Sequence, residues 1–79
     1  MFKEYDVVKL KENMPSEHLS RDDIGAIVTV YEGDPPEYEV EFVDATGQTL
    51  ALLTMKEQAL VRVEPEELRR TRPSSVTVA

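Results

Sequence analysis

Three apolar, β-prone runs lie close together between Asp23 and Thr54, and two turn signals separate them. The turn signals are residues 33–36 (GDPP) and residues 44–47 (DATG). Short runs rich in Val, Ile, Leu and aromatic residues, bounded by Gly, Pro and Asp, are typical of strands joined by tight connections. This stretch therefore predicts an antiparallel meander, and with it an all-β fold for the chain.

Two further strands complete the prediction, one on each side of the meander. The five predicted strands span residues 5–11, 24–31, 37–43, 48–54 and 59–63, with one helical turn at 55–58. They describe a single five-stranded SH3-like barrel over residues 1–63. Residues 64–79 are expected to be a C-terminal extension that begins with a short helix at Pro65, because proline suits the first helical turn. Beyond Arg72 the sequence predicts a flexible segment in which residues 76–78 either stay disordered or add an edge strand.

The third strand has the clearest pattern in the chain. Tyr38, Val40 and Phe42 alternate with three glutamates, which predicts one buried face and one acidic outer face. The turn after it fits a type I turn followed by Gly47 in the left-handed conformation. If Asp44 and Gln48 close that loop, Phe42 lies opposite Leu50 and Val40 opposite Leu52.

The same register predicts an apolar patch on the outer face. It sets Glu41 opposite Ala51 and Glu39 near Leu53, so that the fourth strand is apolar on both sides. An apolar strip rimmed by charge is typical of a protein interface, although the barrel or its own tail could also cover it. The candidate partner-binding residues are Glu37, Glu39, Glu41, Ala51, Leu53 and Tyr31, the tyrosine expected to be most exposed.

The net charge of −7 is carried entirely by residues 1–63, because three acids and three bases cancel after Val63. Nucleic acid is a poor partner for such a body, since its binding depends on Lys and Arg neutralising phosphates. No apolar run approaches the roughly 20 residues of a membrane span, and no signal peptide is evident. The charge favours a basic protein partner or simply solubility, and the expected location is the cytoplasm.

No catalytic, cofactor or metal site is predicted. The chain has no cysteine, and His18 is its only histidine, which makes a poor metal site. The glutamates of the third strand repeat about every 6.6 Å, too far apart for all three to bind one cation. The 12–21 loop is long for a hairpin and is a secondary candidate binding loop.

A family resemblance covers roughly residues 2–63. The residues that carry it are Asp6-Val7-Val8-x-Leu10, Asp23-Ile24-Gly25-x-Ile27-Val28-x-Val30, and the run from Tyr38 to Thr54 with Gly47 in its turn. In this pattern the chain resembles a family of short bacterial proteins, common in cyanobacteria, catalogued as a domain of unknown function. More distantly it is similar to the SH3-like domains of nitrile hydratase beta subunits and of a small photosynthetic dehydrogenase subunit. The resemblance implies a fold used in docking and assembly, and no catalytic residues.

Together the residues predict a non-enzymatic protein-interaction module that uses its acidic outer strand. The antitoxin or accessory half of a two-protein system is one form that such a module takes. A structural subunit that completes a larger enzyme is the alternative, and homo-oligomerisation is left open by the sequence.

Overall fold

A computed structural model describes residues 1–67, and these form one antiparallel five-stranded sheet. The strands are β1 (Val7–Leu10), β2 (Ile24–Tyr31), β3 (Glu37–Val43), β4 (Thr49–Lys56) and β5 (Leu60–Arg62). Two 3-10 turns, Pro15–Glu17 and Glu57–Ala59, precede β2 and β5, and residues 65–67 are helical. The all-β prediction is therefore confirmed.

The sheet is open where the sequence predicts a closed barrel. Its strand order is β4-β3-β2-β1-β5, so that β4 and β5 are the two edges within residues 1–67. The predicted bounds of β2 and β3 are confirmed, whereas β4 continues through Lys56 into the segment predicted to be a helical turn. The predictions for residues 68–79, including the flexible segment and the possible edge strand at 76–78, concern residues outside those described.

The core lies on one side of the sheet and is centred on β3. Tyr38, Val40 and Phe42 are fully buried, as the alternating pattern predicts. Side chains from every other strand pack against them, together with Leu19 from the loop before β2 and Phe2 from the N-terminal segment. Because three consecutive inward positions of β3 are buried, its register relative to both neighbouring strands is tightly fixed.

Gly25 allows β2 and β3 to approach each other closely. A Cβ atom at this position would lie 2.8 Å from Val40 Cγ1, 2.9 Å from the Glu41 carbonyl oxygen and 2.9 Å from Phe42 Cδ1. All three distances are shorter than a normal van der Waals contact. Gly25 therefore marks a close backbone approach between β2 and β3.

The N-terminal segment is held against strands β3 and β5. The Phe2 ring packs edge-on against Tyr38 with centroids 5.4 Å apart, and the Arg62 guanidinium lies 5.4 Å from the centre of the Phe2 ring. Arg62 also donates to the Asp6 carboxylate at 2.7 Å. The pKa of Asp6 is lowered, first by the backbone N–H of Lys3 and then by Arg62, against a raising effect of burial. Residues 1–6 therefore link β5 to the core.

A second polar group completes this anchor. The Tyr38 hydroxyl accepts from the Phe2 N–H at 3.2 Å and donates to Glu57 Oε1 at 3.0 Å. The ammonium of Met1 lies 2.9 Å from Glu57 Oε2. That ammonium, followed by the Tyr38 hydroxyl, holds the pKa of Glu57 below its ordinary value. The one polar atom of Tyr38 is thus satisfied although its ring is buried.

We expect Gly25→Ala to lower the free energy of unfolding by about 1–3 kcal/mol, because the added methyl group overpacks the β2–β3 contact. Urea unfolding followed by circular dichroism measures the change. Gly33→Ala is the matched control, since Gly33 lies in the exposed β2–β3 loop and meets only the Pro35 carbonyl oxygen at 3.3 Å. Equal stability of the two variants would show that the close approach at Gly25 is absent.

We expect Glu57→Gln to destabilise the fold only where wild-type Glu57 is ionised. A carboxylate with a lowered folded pKa contributes stability above its unfolded pKa, and that contribution is lost as the pH falls through the folded pKa. The difference in unfolding free energy between wild type and variant should therefore be largest above the ordinary value of 4.5 and shrink below it. Urea titrations across that range measure it, with Glu32→Gln in the exposed loop as control. A difference that does not change with pH would contradict this role.

Candidate interaction face on strands β3 and β4

The glutamates of β3 form an acidic ladder on the side of the sheet opposite the core. Glu37, Glu39 and Glu41 alternate with the three buried side chains of the same strand and are each partly exposed. Their neighbours on β4 are Lys56, Thr54 and Leu52, respectively. The outer acidic face predicted from the sequence is therefore confirmed as a structural feature.

The register between β3 and β4 differs from the predicted one. Val40 lies opposite Leu53 and Phe42 opposite Ala51, with an irregularity that leaves Leu50 without a partner. Leu53 and Ala51 accordingly pack against the core. The prediction that these two residues form an outer apolar patch is wrong.

The exposed apolar residues of β4 are Leu50 and Leu52. Their relative exposures are 49% and 55%, respectively. Leu52 is paired with Glu41, so the apolar strip still adjoins the acidic ladder. The predicted combination of apolar and acidic surface is present, but different side chains of β4 supply its apolar part.

A β-bulge accounts for the change of register. The hairpin closes as predicted, because the Asp44 N–H donates to the Gln48 carbonyl at 2.9 Å and Gly47 has φ +89°. The pairing then shifts between Phe42 and Val43, which inserts one extra residue into β4. Since side chains alternate along a strand, one extra residue exchanges the two faces of everything after it.

Hydroxyl groups hold the carboxylates of the ladder in place. Glu39 Oε1 accepts from Thr54 Oγ1 at 2.8 Å and from the Tyr31 hydroxyl at 3.4 Å. The Thr49 hydroxyl donates to Glu41. Tyr31 is 46% exposed, but Tyr5 is 76% exposed, so the prediction that Tyr31 is the most exposed tyrosine is wrong.

The carboxylates of the ladder can still bind a partner. Each hydroxyl group that donates to a carboxylate occupies one of its acceptor sites and neutralises none of its charge, so the remaining sites can accept from Lys or Arg. Asp44 at the hairpin tip adds to the charge. The Thr46 hydroxyl, and then the backbone N–H groups of Gln48 and Thr46, hold the Asp44 pKa below its ordinary value.

Other groups in residues 1–67 offer less to a ligand. The structure shows no group of His, Cys, Asp or Glu there that could hold a metal ion. The 12–21 loop is anchored by Leu19, which is buried, and by a bridge between Met14 and Leu19. Beside it lies a groove of about 260 Å³, slightly smaller than the roughly 300–1,000 Å³ typical of small-molecule sites. No helix in this part of the chain is long and apolar enough to cross a membrane.

The register places two adjacent leucines in opposite environments, with Leu53 against the core and Leu52 exposed. We expect Leu53→Ala to lower the free energy of unfolding by about 1–2 kcal/mol, because part of that side chain packs in the core. We expect Leu52→Ala to change it by less than about 0.5 kcal/mol, as is usual for surface positions. Denaturant unfolding of both variants measures the difference. A larger loss of unfolding free energy for Leu52→Ala than for Leu53→Ala would contradict this register and support the one without the bulge.

Comparison with known proteins assigns this chain to a family. A family model described as "Domain of unknown function (DUF4926)" matches residues 4–62. The match covers most of the chain, and the chain belongs to this family. No curated protein and no solved structure matches it.

Proposed function

We propose that this member of the DUF4926 family is a non-enzymatic protein-interaction module. The surface that acts in this proposal is here termed the acidic–apolar face, and it consists of Glu37, Glu39, Glu41, Leu50, Leu52 and Tyr31. The observation that carries the proposal is the acidic ladder beside two half-exposed leucines. A partner with a basic rim around an apolar centre would complement this face.

The composition of the face supports protein binding over simple solvation. Solvation alone requires only the glutamates, and it gives no reason for two neighbouring leucines to lie about half exposed. Apolar area bordered by polar and charged groups is the usual composition of a protein interface. Tyr31 adds an exposed ring whose hydroxyl is already directed towards Glu39.

Charge supports a basic protein as the partner class. The net charge of −7 would attract a basic surface over a distance and would repel a polyphosphate. Such steering speeds encounter and is weakened by salt. The partner in this proposal is therefore neither nucleic acid nor membrane.

The proposal includes an SH3-like relationship and a place in the cell. Five short strands, a long first loop, a tight hairpin and a 3-10 turn before the last strand support an SH3-like kinship, although the sheet is open. A role as the antitoxin or accessory half of a two-protein system fits a small module of this kind. A cytoplasmic setting fits a chain this small without cysteine, since small secreted domains commonly depend on disulfides.

A second candidate function is a structural subunit that completes a larger enzyme. The exposure of Leu50 and Leu52 favours it, because permanent interfaces are more apolar than transient ones. The response to salt separates the two candidates. A partner that remains bound in high salt indicates the permanent subunit, and a partner lost in high salt indicates the charge-steered module.

We expect the double variant Glu39→Lys/Glu41→Lys to remain folded and to lose its partner. Both side chains lie on the outer face, so their replacement leaves the core intact, while the ladder changes from negative to positive. The tagged full chain is purified from its native cells at low salt, and bound proteins are identified by mass spectrometry. Circular dichroism checks the fold of each variant.

The control for this experiment is Glu4→Lys/Glu64→Lys, which changes the net charge equally at exposed positions in the N-terminal segment and after β5. It should retain the partner if the position of the charge matters. Equal retention of the partner by both double variants would contradict the proposal that the acidic face binds it. Equal loss would mean that only the total charge acts.

A further inference from the structure

Strand β4 is an edge strand with an unusual surface. Among residues 1–67, β3 is its only neighbour, so alternate N–H and C=O groups along its other side have no strand to pair with. The strand is eight residues long. Two exposed leucines, Leu50 and Leu52, lie on it.

The strand lacks most of the features that protect edges from pairing. Natural edge strands are usually short, or carry proline, charged side chains such as lysine, inward-pointing charge or a β-bulge. Residues 49–55 contain no proline and no charged residue, and Lys56 is the last residue of the strand. The bulge at Leu50 lies near its beginning, which leaves residues 51–56 in regular pairing.

We propose that β4 pairs antiparallel with β4 of a second copy of this chain, so that two sheets join into one of ten strands. Antiparallel partners direct their side chains to the same side of a sheet. A register centred on Leu53 meets this condition, because it sets Leu52 opposite Thr54 of the second copy and Ala51 opposite Met55. The outer faces of the two copies then continue into each other, and so do the core faces.

The charges at the two ends of β4 favour a second copy as the occupant. Lys56 ends the strand, where it pairs with Glu37, whereas Glu41 pairs with Leu52 in the first half of the strand and Asp44 lies in the hairpin loop that leads into it. Antiparallel pairing brings the end of each strand to the beginning of the other. Lys56 of one copy then lies opposite Leu50 of the second copy, at the end where that copy's Glu41 and Asp44 lie, with the strand that carries Glu41 two spacings or about 10 Å away.

The same charges disfavour the other way in which two copies could meet. Stacking the outer faces would set one glutamate ladder against another, with Lys56 as the only base on β3 and β4. Pairing through the edge keeps the ladders apart and brings together strands that are neutral over residues 49–55. It also leaves the acidic face open, so this inference does not depend on the proposed partner.

Sedimentation of the full chain over a concentration series tests the pairing. We expect a species of twice the 9.0 kDa monomer mass that dissociates on dilution. Leu52→Lys/Thr54→Lys should raise the dimer dissociation constant at least about tenfold, because it opposes like charges across the new pair. Ser16→Lys/Thr29→Lys adds the same charge at exposed positions away from this edge and should dimerise as the wild type does.

A cross-linking experiment tests the register, since the chain has no cysteine of its own. Mixing the Leu52→Cys chain with the Thr54→Cys chain should give a disulfide-linked heterodimer, because paired residues lie about 5.5 Å apart. A mixture of Leu52→Cys with Thr29→Cys is the control and should give much less.

Three results would overturn the proposal. The first is a monomer at every concentration up to millimolar. The second is a dimer that the lysine variant at residues 52 and 54 does not weaken. The third is hydrogen exchange in which the alternate β4 amides that point away from β3 are protected in the dilute monomer, because the edge would then already be covered within one chain.

Discussion

The burial of alternate side chains on β3 is the constraint on which the rest of the structure depends. Tyr38, Val40 and Phe42 are each completely covered, and a strand with three such positions has no freedom to rotate or slip. The cover on one side requires β2 to come so close that only glycine fits at position 25. The same burial forces the glutamates of β3 outward, so the acidic ladder is a direct consequence of how the core is filled.

The buried Tyr38 also explains why the N-terminal segment lies close to the 3-10 turn Glu57–Ala59. A buried hydroxyl needs partners, and this one finds the Phe2 N–H and the Glu57 carboxylate. Satisfying it draws the N-terminal segment and the 3-10 turn before β5 to the same end of the core. Arg62 then covers the Phe2 ring, which fastens the short edge strand β5 to residues far away in sequence.

Local patterns could predict much of this fold. Strict alternation predicted the bounds of β3, an apolar run between turn signals predicted those of β2, and the turn residues predicted the hairpin with Gly47 in the left-handed conformation. The anchor of Phe2 could not be predicted, because it joins residues 36 positions apart that carry no shared pattern. The open form of the sheet was missed for a related reason, since closure depends on long-range pairing that five short strands do not specify.

The register predicted for β4 was wrong, although residues in the same strand indicate the correct one. Leu50, Leu52 and Leu53 are chemically alike, so either register buries leucine. The deciding signal lies further along, where the polar Thr54 and Lys56 alternate with Met55. Ending the strand at Thr54 removed that signal, and with it the evidence that even-numbered positions face outward.

The bulge at Leu50 relates the two proposed surfaces to each other. By exchanging the faces of β4, it moves Leu52 out of the core and onto the outer face at the sheet edge, beside Glu41. In a dimer joined through β4, the two acidic ladders would lie on the same side, three strand spacings or about 14 Å apart. The leucines of both copies would lie between them, giving an apolar centre bordered by acid on two sides. A two-fold surface of that kind suits a partner that presents basic groups on either side of an apolar segment, which a single copy could contact only by half.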